Sequence, residues 1–410
     1  MNREKPTVLV FYSRKNRFSF NALIASLCAT DLKRKVNLVW AINQEELYHR
    51  VAALPQPVLL LFSSTSPEKE EKRKILHTVK NIRPETILCG GGPHLSACPE
   101  AFLPLATITV QGEGEVAIQE IVSRFITGQL SLEYQTVFTG PVDLDRFPPF
   151  PHELGVFGPI EITRGCPFAC AFCQTSFLFG PTVRHRNLSH VLEYVKIMKR
   201  KNLLDLRFIT PNALAYGSPD GRTVCPNALA QLLGELRKIV GKKGRIFFGS
   251  FPSEIRPDFA SWELLKLLKE HVDNDNLIIG AQSGSNALLR RMHRQHQQED
   301  ILRATELALR AGFKVNVDFI FGCPEENEEE ERENLATVCT LAEMGAIIHA
   351  HTFMPLPGTP WGEKAGTPLS PQTKKVLGRL AQQGKLFGQW YTQERHAQIL
   401  RKNQCEEKRK

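Results

Sequence analysis

Residues 161–174 read EITRGCPFACAFCQ. Three cysteines, Cys166, Cys170 and Cys173, fall within eight residues, directly after a run (159–164) with the composition of a buried strand. A chain that leaves a strand and turns straight into a cysteine loop places its thiols at the strand's carboxyl end, where βα barrels carry their chemistry. Structural zinc takes four ligands and disulfides take thiols in pairs, so three clustered thiols fit neither without a remote partner. Thiolates also bind iron–sulfur clusters: four saturate a four-iron cluster, and three leave one iron with an open position. A zinc site completed by a distant His or Cys is the alternative reading, and chance clustering is the plainest.

Working outward from that loop, strand candidates recur at 159–164, 204–210, 245–251, 276–282, 314–321 and 346–354. Helix candidates follow at 188–201, 227–240, 261–271, 298–311, 328–344 and 372–384, the fifth opening on an acidic run, 325–331, that suits a helix's first turn. Six βα units predict a partial TIM-like barrel over 159–365, with a helical segment at 366–410. Before the barrel, strand candidates at 7–13, 36–41, 58–63, 86–91 and 107–112 alternate with helical stretches such as 67–81 and 115–127. That order predicts a doubly wound parallel sheet of the Rossmann-like kind over 1–142. The proline-rich DLDRFPPFPHELG (143–155) breaks both rhythms, so 143–158 reads as a linker.

The chain has 410 residues, enough for two or three domains, and its 42% hydrophobic and 23% charged residues are ordinary for a globular protein. The start, MNREKPTVLVFYSR, has charges on both sides of a short apolar run and no cleavage-site pattern, and no apolar run approaches the roughly 20 residues of a membrane span. A cytoplasmic protein without membrane contact is therefore expected, and clustered cysteines there point to metal or redox chemistry rather than crosslinks. The formal charge of +9 is scattered rather than gathered with aromatics, so nucleic acid is not the expected partner.

RGCPFACAFC (164–173) resembles the cluster motif of the radical S-adenosylmethionine (SAM) superfamily. IGAQSGS (279–285), RMHR (291–294), VDFIFGCPE (317–325) and PLPGTP (355–360) follow in the order seen in its methylthiotransferase-like and cobalamin-associated branches. The resemblance implies a 4Fe-4S cluster on Cys166, Cys170 and Cys173, with SAM chelating the open iron and split by electron transfer into methionine and a 5′-deoxyadenosyl radical. It implies SAM contacts from Phe172, from Ser250 and Glu254 after the third barrel strand, from Gln282 and Ser283 after the fourth, and from Asp318, Cys323 and Pro324 on the fifth. One departure is visible: related proteins commonly read Gly-Leu-Pro-Gly-Glu where this chain has GCPEE (322–326). Cys323 is then either an extra thiol near the cluster or a small buried residue.

LCGGGPHLSACPEAF (88–102) and VQGEGE (110–115) resemble the cobalamin-binding domains fused to radical SAM enzymes. The resemblance implies corrinoid contacts from Gly90, Gly91, Gly92, Pro93 and His94, from Gly112, Glu113 and Gly114, and from the hydroxyls of Ser63, Ser64 and Thr65. Physically, glycines at a strand end let backbone lie against a planar ring, and no Gly-Lys-Ser/Thr follows to make a phosphate loop. Many cobalamin domains carry an Asp-x-His-x-x-Gly motif whose histidine binds cobalt; residues 1–140 lack it, as members of the radical SAM branch often do.

Together these implications describe a cobalamin-dependent radical SAM enzyme that methylates an unactivated carbon, served by a reductant protein such as ferredoxin or flavodoxin. A peptide or protein substrate is expected. The compact size and Pro167 resemble archaeal members, one branch of which methylates glutamine Cα in methyl-coenzyme M reductase. The rivals are a cobalamin enzyme that rearranges or cyclises its substrate, a methylthiotransferase acting on RNA or protein, and an iron–sulfur electron carrier. A methylthiotransferase needs a second three-cysteine cluster, for which Cys28, Cys89 and Cys98 are a poor substitute.

Overall fold

The amino-terminal β-branched runs pair into one parallel sheet in a computed structural model that describes residues 5–397. Its strands are β1 (Thr7–Phe11), β2 (Asn37–Ala41), β3 (Val58–Ser63), β4 (Ile87–Gly91), β5 (Ile108–Gln111) and β6 (Gln135–Phe138), in the order β2-β1-β3-β4-β5-β6. The strands read as nearly unbroken apolar runs because both faces are covered. Val8, Val10, Leu59 and Leu61 pack with Phe20, Ile24 and Ile121 on one face, while Leu9, Phe11, Leu60 and Phe62 pack with Leu47, Leu76 and Val79 on the other. The chain goes from β1 to β2 on one side and returns to β3 on the other, so the topological switch point lies between the carboxyl ends of β1 and β3. The outermost strand, β6, was not among the candidates: QTVF is short and only half covered, and its register on β5 (Ile108↔Gln135 to Gln111↔Phe138) identifies it.

The chain divides into two compact units, Met1–Gly158 and Pro159–Lys410. The proline-rich 143–155 thus belongs to the first, and the carboxyl-terminal segment to the second. The second unit contains β7 (Ile160–Glu161), β8 (Thr163–Arg164), β9 (Arg184–His185), β10 (Asp205–Ile209), β11 (Arg245–Phe247), β12 (Asn276–Gln282), β13 (Lys314–Phe321), β14 (Ile347–Thr352) and β15 (Leu386–Phe387). Parallel sheets β7-β10-β11 and β12-β13-β14-β15 follow one another around a partial barrel. Ile255 sews the seam between them: its N–H donates to Ile278 O at 2.9 Å and its carbonyl accepts from Gly280 at 3.1 Å.

Two features differ from the sequence reading. The carboxyl-terminal segment is helical over Pro371–Gln382 and 390–397, but between these it supplies β15, which adds a seventh strand beside β14. The first barrel strand ends early: Thr163 and Arg164 leave the sheet and pair antiparallel with His185 and Arg184. This ribbon encloses the cysteine loop. The acidic run opens the helix Glu328–Met344, where Asn327 and Glu330 form a capping box. No helix among the described residues is long and apolar enough to cross a membrane.

Candidate active site

The cysteine loop is held by backbone bonds to segments far away in sequence. Ala171 N–H donates to Met292 O, Trp361 N–H to Ala171 O and Cys166 N–H to Gly180 O, at 3.0, 3.0 and 3.1 Å. Gln174 Nε2 reaches Pro357 O at 2.8 Å, and Arg222 reaches Pro167 O at 2.7 Å. RMHR and PLPGTP are therefore the two clamps of the loop. Cys170 is buried, and Cys166 and Cys173 are partly exposed. Burial pushes the Cys173 thiol up, the Thr175 hydroxyl at 3.3 Å pulls it down, and the neighbouring Cys170 and Cys166 push it up again.

The three thiols do not close on a single point. Among the described residues, the group of three donors within 4.8 Å of one another is Asp318, His349 and His351, and the cysteines are spread wider. Tetrahedral zinc with bonds of about 2.3 Å needs sulfurs roughly 3.8 Å apart. A wider triad suits a multinuclear cluster, which disfavours the zinc alternative.

Two buried guanidiniums flank the loop. Arg294 NH1 lies 3.5 Å from Cys170 Sγ, and its NH2 donates to Gly280 O. Arg256 stacks on Phe168, 3.5 Å from the ring centre, and bonds Asp258 at 3.0 Å. Arg294 Nε, and Arg256 Nε and NH1, are buried without hydrogen-bond partners among the described residues. Stranded cationic donors beside three thiols fit an anionic occupant, as a thiolate-bound cluster is.

Along β12, β13 and β14 the apolar alternates Leu277, Ile279, Val317, Phe319, Ile348 and Ala350 are fully buried, while the other face carries Asn316, Asp318, His349 and His351 among apolar neighbours such as Ile278 and Ile320. A Cβ built on Gly280 would lie 2.9 Å from Glu254 Oε2, 3.2 Å from Gln282 Nε2 and 3.5 Å from Arg294 NH2, so these three side chains converge there. Gln282 takes φ +76° where the β12–β13 register shifts, a strained conformation for a non-glycine residue that aims its amide at this point. Burial, and then the nearby Asp318 carboxyl, push Glu254 up to about 7.

The other candidates lie differently. Ser250 Oγ bonds Asn276 at 3.2 Å, and Ser283 Oγ accepts from Ser285 N–H in a fully buried turn. Cys323 is fully enclosed with its thiol toward Ile320 O, as a small buried residue would be, and Pro324 is buried beside it. Phe172 is half-buried within the loop. Asp318 is bonded to His349. Sequence reasoning missed Arg256, Arg294, His349 and His351; Arg294 stood inside the quoted RMHR, and the two histidines alternate as HAH on a strand.

In the first unit, Ser64 N–H donates to Gly91 O and His94 N–H to Ser64 O, both at 3.1 Å, which ties the 63–66 turn to the glycine turn. Ser64 Oγ bonds Thr65 O, and Thr65 Oγ1 bonds Glu68. The His94 ring is buried, with Nδ1 3.0 Å from Ser66 Oγ. Pro93 opens the short helix Pro93–Ala97, and Glu113 accepts from Val142 N–H. Gly112 backs onto Thr139 O and Gly114 onto Leu23, so packing accounts for both. Gly91 differs: a Cβ there would meet nothing closer than 3.8 Å, leaving an open approach beside Ser63. At the switch point, Ser13 Oγ is buried with no partner among the described residues.

Comparison with known proteins agrees with this geometry. Residues 160–338 match the Radical SAM superfamily, and this stretch is a radical SAM domain, which works with a 4Fe-4S cluster and SAM. The chain is 26% identical over 377 residues to a tRNA-2-methylthio-N(6)-dimethylallyladenosine synthase of Anaplasma phagocytophilum, covering 87% of this chain and 80% of that protein. It spans 38–65% of the length of seven further curated relatives. In fold it is similar to the radical SAM methyltransferase TsrM of Kitasatospora setae, solved with cobalamin and a [4Fe-4S] cluster (TM-score 0.67, 16% identity, 88% of this chain and 77% of that one). It is similar also to the cobalamin-dependent SAM radical enzyme OxsB (TM-score 0.61, 18% identity, 82% and 52%).

Proposed function

We propose that this chain is a cobalamin-dependent radical SAM C-methyltransferase that methylates an unactivated carbon of a peptide or protein. The observation that carries the reading is a three-thiol loop too wide for one ion, flanked by stranded guanidiniums, in a chain whose other unit opens a glycine approach beside a switch point. TsrM and OxsB, whose structures hold cobalamin, support it through likeness of fold.

When bound, the cluster and SAM supply a carbon radical able to remove an unactivated hydrogen, and a corrinoid supplies a transferable methyl group. Cys166, Cys170 and Cys173 would hold the cluster, with Arg256 and Arg294 compensating its charge. Arg294 also has the charge to hold the carboxylate of SAM, and Glu254 and Gln282 present acceptors and donors to its amino and hydroxyl groups. Gly91, with Ser63 at its side, would lie against the corrinoid. No side chain is basic enough to deprotonate an unactivated carbon, so the residues act by orientation and by excluding water. A ferredoxin or flavodoxin would supply the electron. Glutamine Cα in methyl-coenzyme M reductase is one candidate substrate position.

A second reading, methylthiotransferase-like modification of RNA or protein, is favoured by the 26% identity to the Anaplasma synthase. Against it, Cys89, one of the three cysteines that a second cluster would need, is buried in the sheet core of the first unit. The test is anaerobic reconstitution with SAM, reductant and cobalamin. The proposal expects bound corrinoid in the visible spectrum, 5′-deoxyadenosine and S-adenosylhomocysteine. Absence of 5′-deoxyadenosine overturns both readings, and a product carrying a methylthio group selects the second.

A further inference from the structure

His349 and His351 are two apart on β14 and so share one face, and the parallel register sets Asp318 of β13 directly beside His349. Asp318 Oδ1 lies 2.9 Å from His349 Nδ1, and His351 Nε2 lies 3.2 Å from the same nitrogen. The His349 ring is clamped flat on Phe387 of β15, with centroids 4.4 Å apart and planes at 9°. His351 Nδ1 faces Gln393 Nε2 at 3.3 Å, while Gln393 Oε1 accepts from Thr352 N–H at 3.0 Å.

With the Gln393 amide oriented as it is, no placement of protons satisfies this group. The amide of Gln393 makes His351 Nδ1 an acceptor, so Nε2 carries the proton and donates to His349 Nδ1. That nitrogen has one lone pair, yet the Asp318 oxygen stands within hydrogen-bond distance of it too. Protonating His349 Nδ1 satisfies Asp318 but sets two N–H groups against each other. The three donor atoms all lie within 4.8 Å of one another.

We propose that Asp318, His349 and His351 bind a divalent first-row transition metal ion, distinct from the cysteine-bound cluster. Donors about 2.1 Å from an ion lie roughly 3.0 to 3.5 Å apart, and the contacts of 2.9 and 3.2 Å match that spacing. Two imidazoles and a carboxylate suit Zn²⁺ or Fe²⁺. Binding needs the proton of His351 on Nδ1, which Gln393 receives once its amide turns its oxygen to the ring, the usual second-layer support of a ligand histidine. Three protein ligands leave coordination positions open to the barrel interior, where an oxygen donor of the substrate would bind. Asp318 then serves this ion rather than SAM.

The test needs neither SAM nor corrinoid, so its outcome is separate from that of the methyltransferase reading. The full-length chain with Cys166→Ala, Cys170→Ala and Cys173→Ala, free of any affinity tag, is stripped with chelator and equilibrated with Zn²⁺ or Co²⁺. One tightly held equivalent is expected by elemental analysis, with a cobalt absorption spectrum of nitrogen and oxygen ligation. His349→Ala and His351→Ala in the same background each lose it, and Gln393→Leu weakens it roughly 10- to 100-fold. Far-ultraviolet dichroism checks that each variant is folded, and His349→Asn replaces any alanine variant that is not. No bound equivalent in the chain lacking the three loop cysteines, sulfur ligation of cobalt, or a full equivalent retained by folded histidine variants overturns the proposal.

Discussion

Replacing Gly91 with valine separates ligand approach from fold. At this position a Cβ would lie 3.8 Å from Val110 Cβ and Val110 O, ordinary contact distances, and the backbone is not left-handed. A β-branched residue at a strand end also restricts the unfolded chain, so Gly91→Val is expected to leave stability unchanged or raise it by up to about 1 kcal/mol. Gly92, one residue on, is the contrast. It takes φ +94° and ψ −179°, a region open essentially to glycine alone, and a Cβ there would fall 2.4 Å from Ser63 Oγ. Gly92→Ala is expected to cost about 1–3 kcal/mol through strain. If a corrinoid lies against Gly91, the valine side chain occupies its place, and affinity falls at least about tenfold, or ~1.4 kcal/mol. The assay is corrinoid retained per chain after reconstitution and gel filtration, with iron content and melting temperature measured on the same samples. Parent-like corrinoid content in Gly91→Val would refute the assignment of this turn. A large drop in melting temperature for that variant would refute the packing argument on which the contrast rests.

Three more outcomes test the rest. Alanine at Cys166, Cys170 or Cys173 is expected to abolish bound four-iron cluster and 5′-deoxyadenosine formation; any single variant that still makes 5′-deoxyadenosine contradicts the cluster assignment. Arg294→Met removes the guanidinium between Cys170 and Gly280, and leaving a buried anion unpaired costs about 3 kcal/mol, so SAM cleavage should fall roughly 100-fold with most iron retained. A loss below threefold would count against it. Burial pushes the Glu326 carboxyl up from 4.5 to about 7, despite the N–H of Cys323 and the amide of Asn334 that favour its charge. Because the folded-state value is the higher one, its stabilising contribution is present below about pH 4.5 and is lost as pH rises through about 7, up to about 3 kcal/mol in all. Glu326→Gln should flatten that decline in urea titrations between about pH 5 and pH 8, and an unchanged slope would show that the carboxyl titrates normally.

What the sequence disclosed depended on the range of the interaction behind each feature. The strand runs of both units were legible because burial on both faces writes unbroken apolar stretches such as VLLLF into β3. The cysteine loop was legible because its spacing is local. β15 was not, since Leu386–Phe387 is a strand only by pairing with β14 across more than thirty residues, and neither was the departure of Thr163 and Arg164 from the first barrel strand, which depends on Arg184 and His185. Gly112 and Gly114 looked like an open turn because sequence cannot show that Thr139 and Leu23 stand against them.

The interior of the barrel is the instructive case. Asp318, His349 and His351 sit at the polar alternates of strands whose other alternates are fully buried, a pattern that by itself also describes a solvent-facing edge. What distinguishes the two is convergence: Gly280 gathers Glu254, Gln282 and Arg294 around one point, and β13 and β14 set a carboxylate and two imidazoles within 4.8 Å. Charged groups held this close, with Arg294 Nε buried and without a partner among the described residues, are costly to a fold that binds nothing. Their retention on rigid strands, beside a loop clamped by RMHR and PLPGTP, is the physical argument that this interior is built around ligands rather than around its own core.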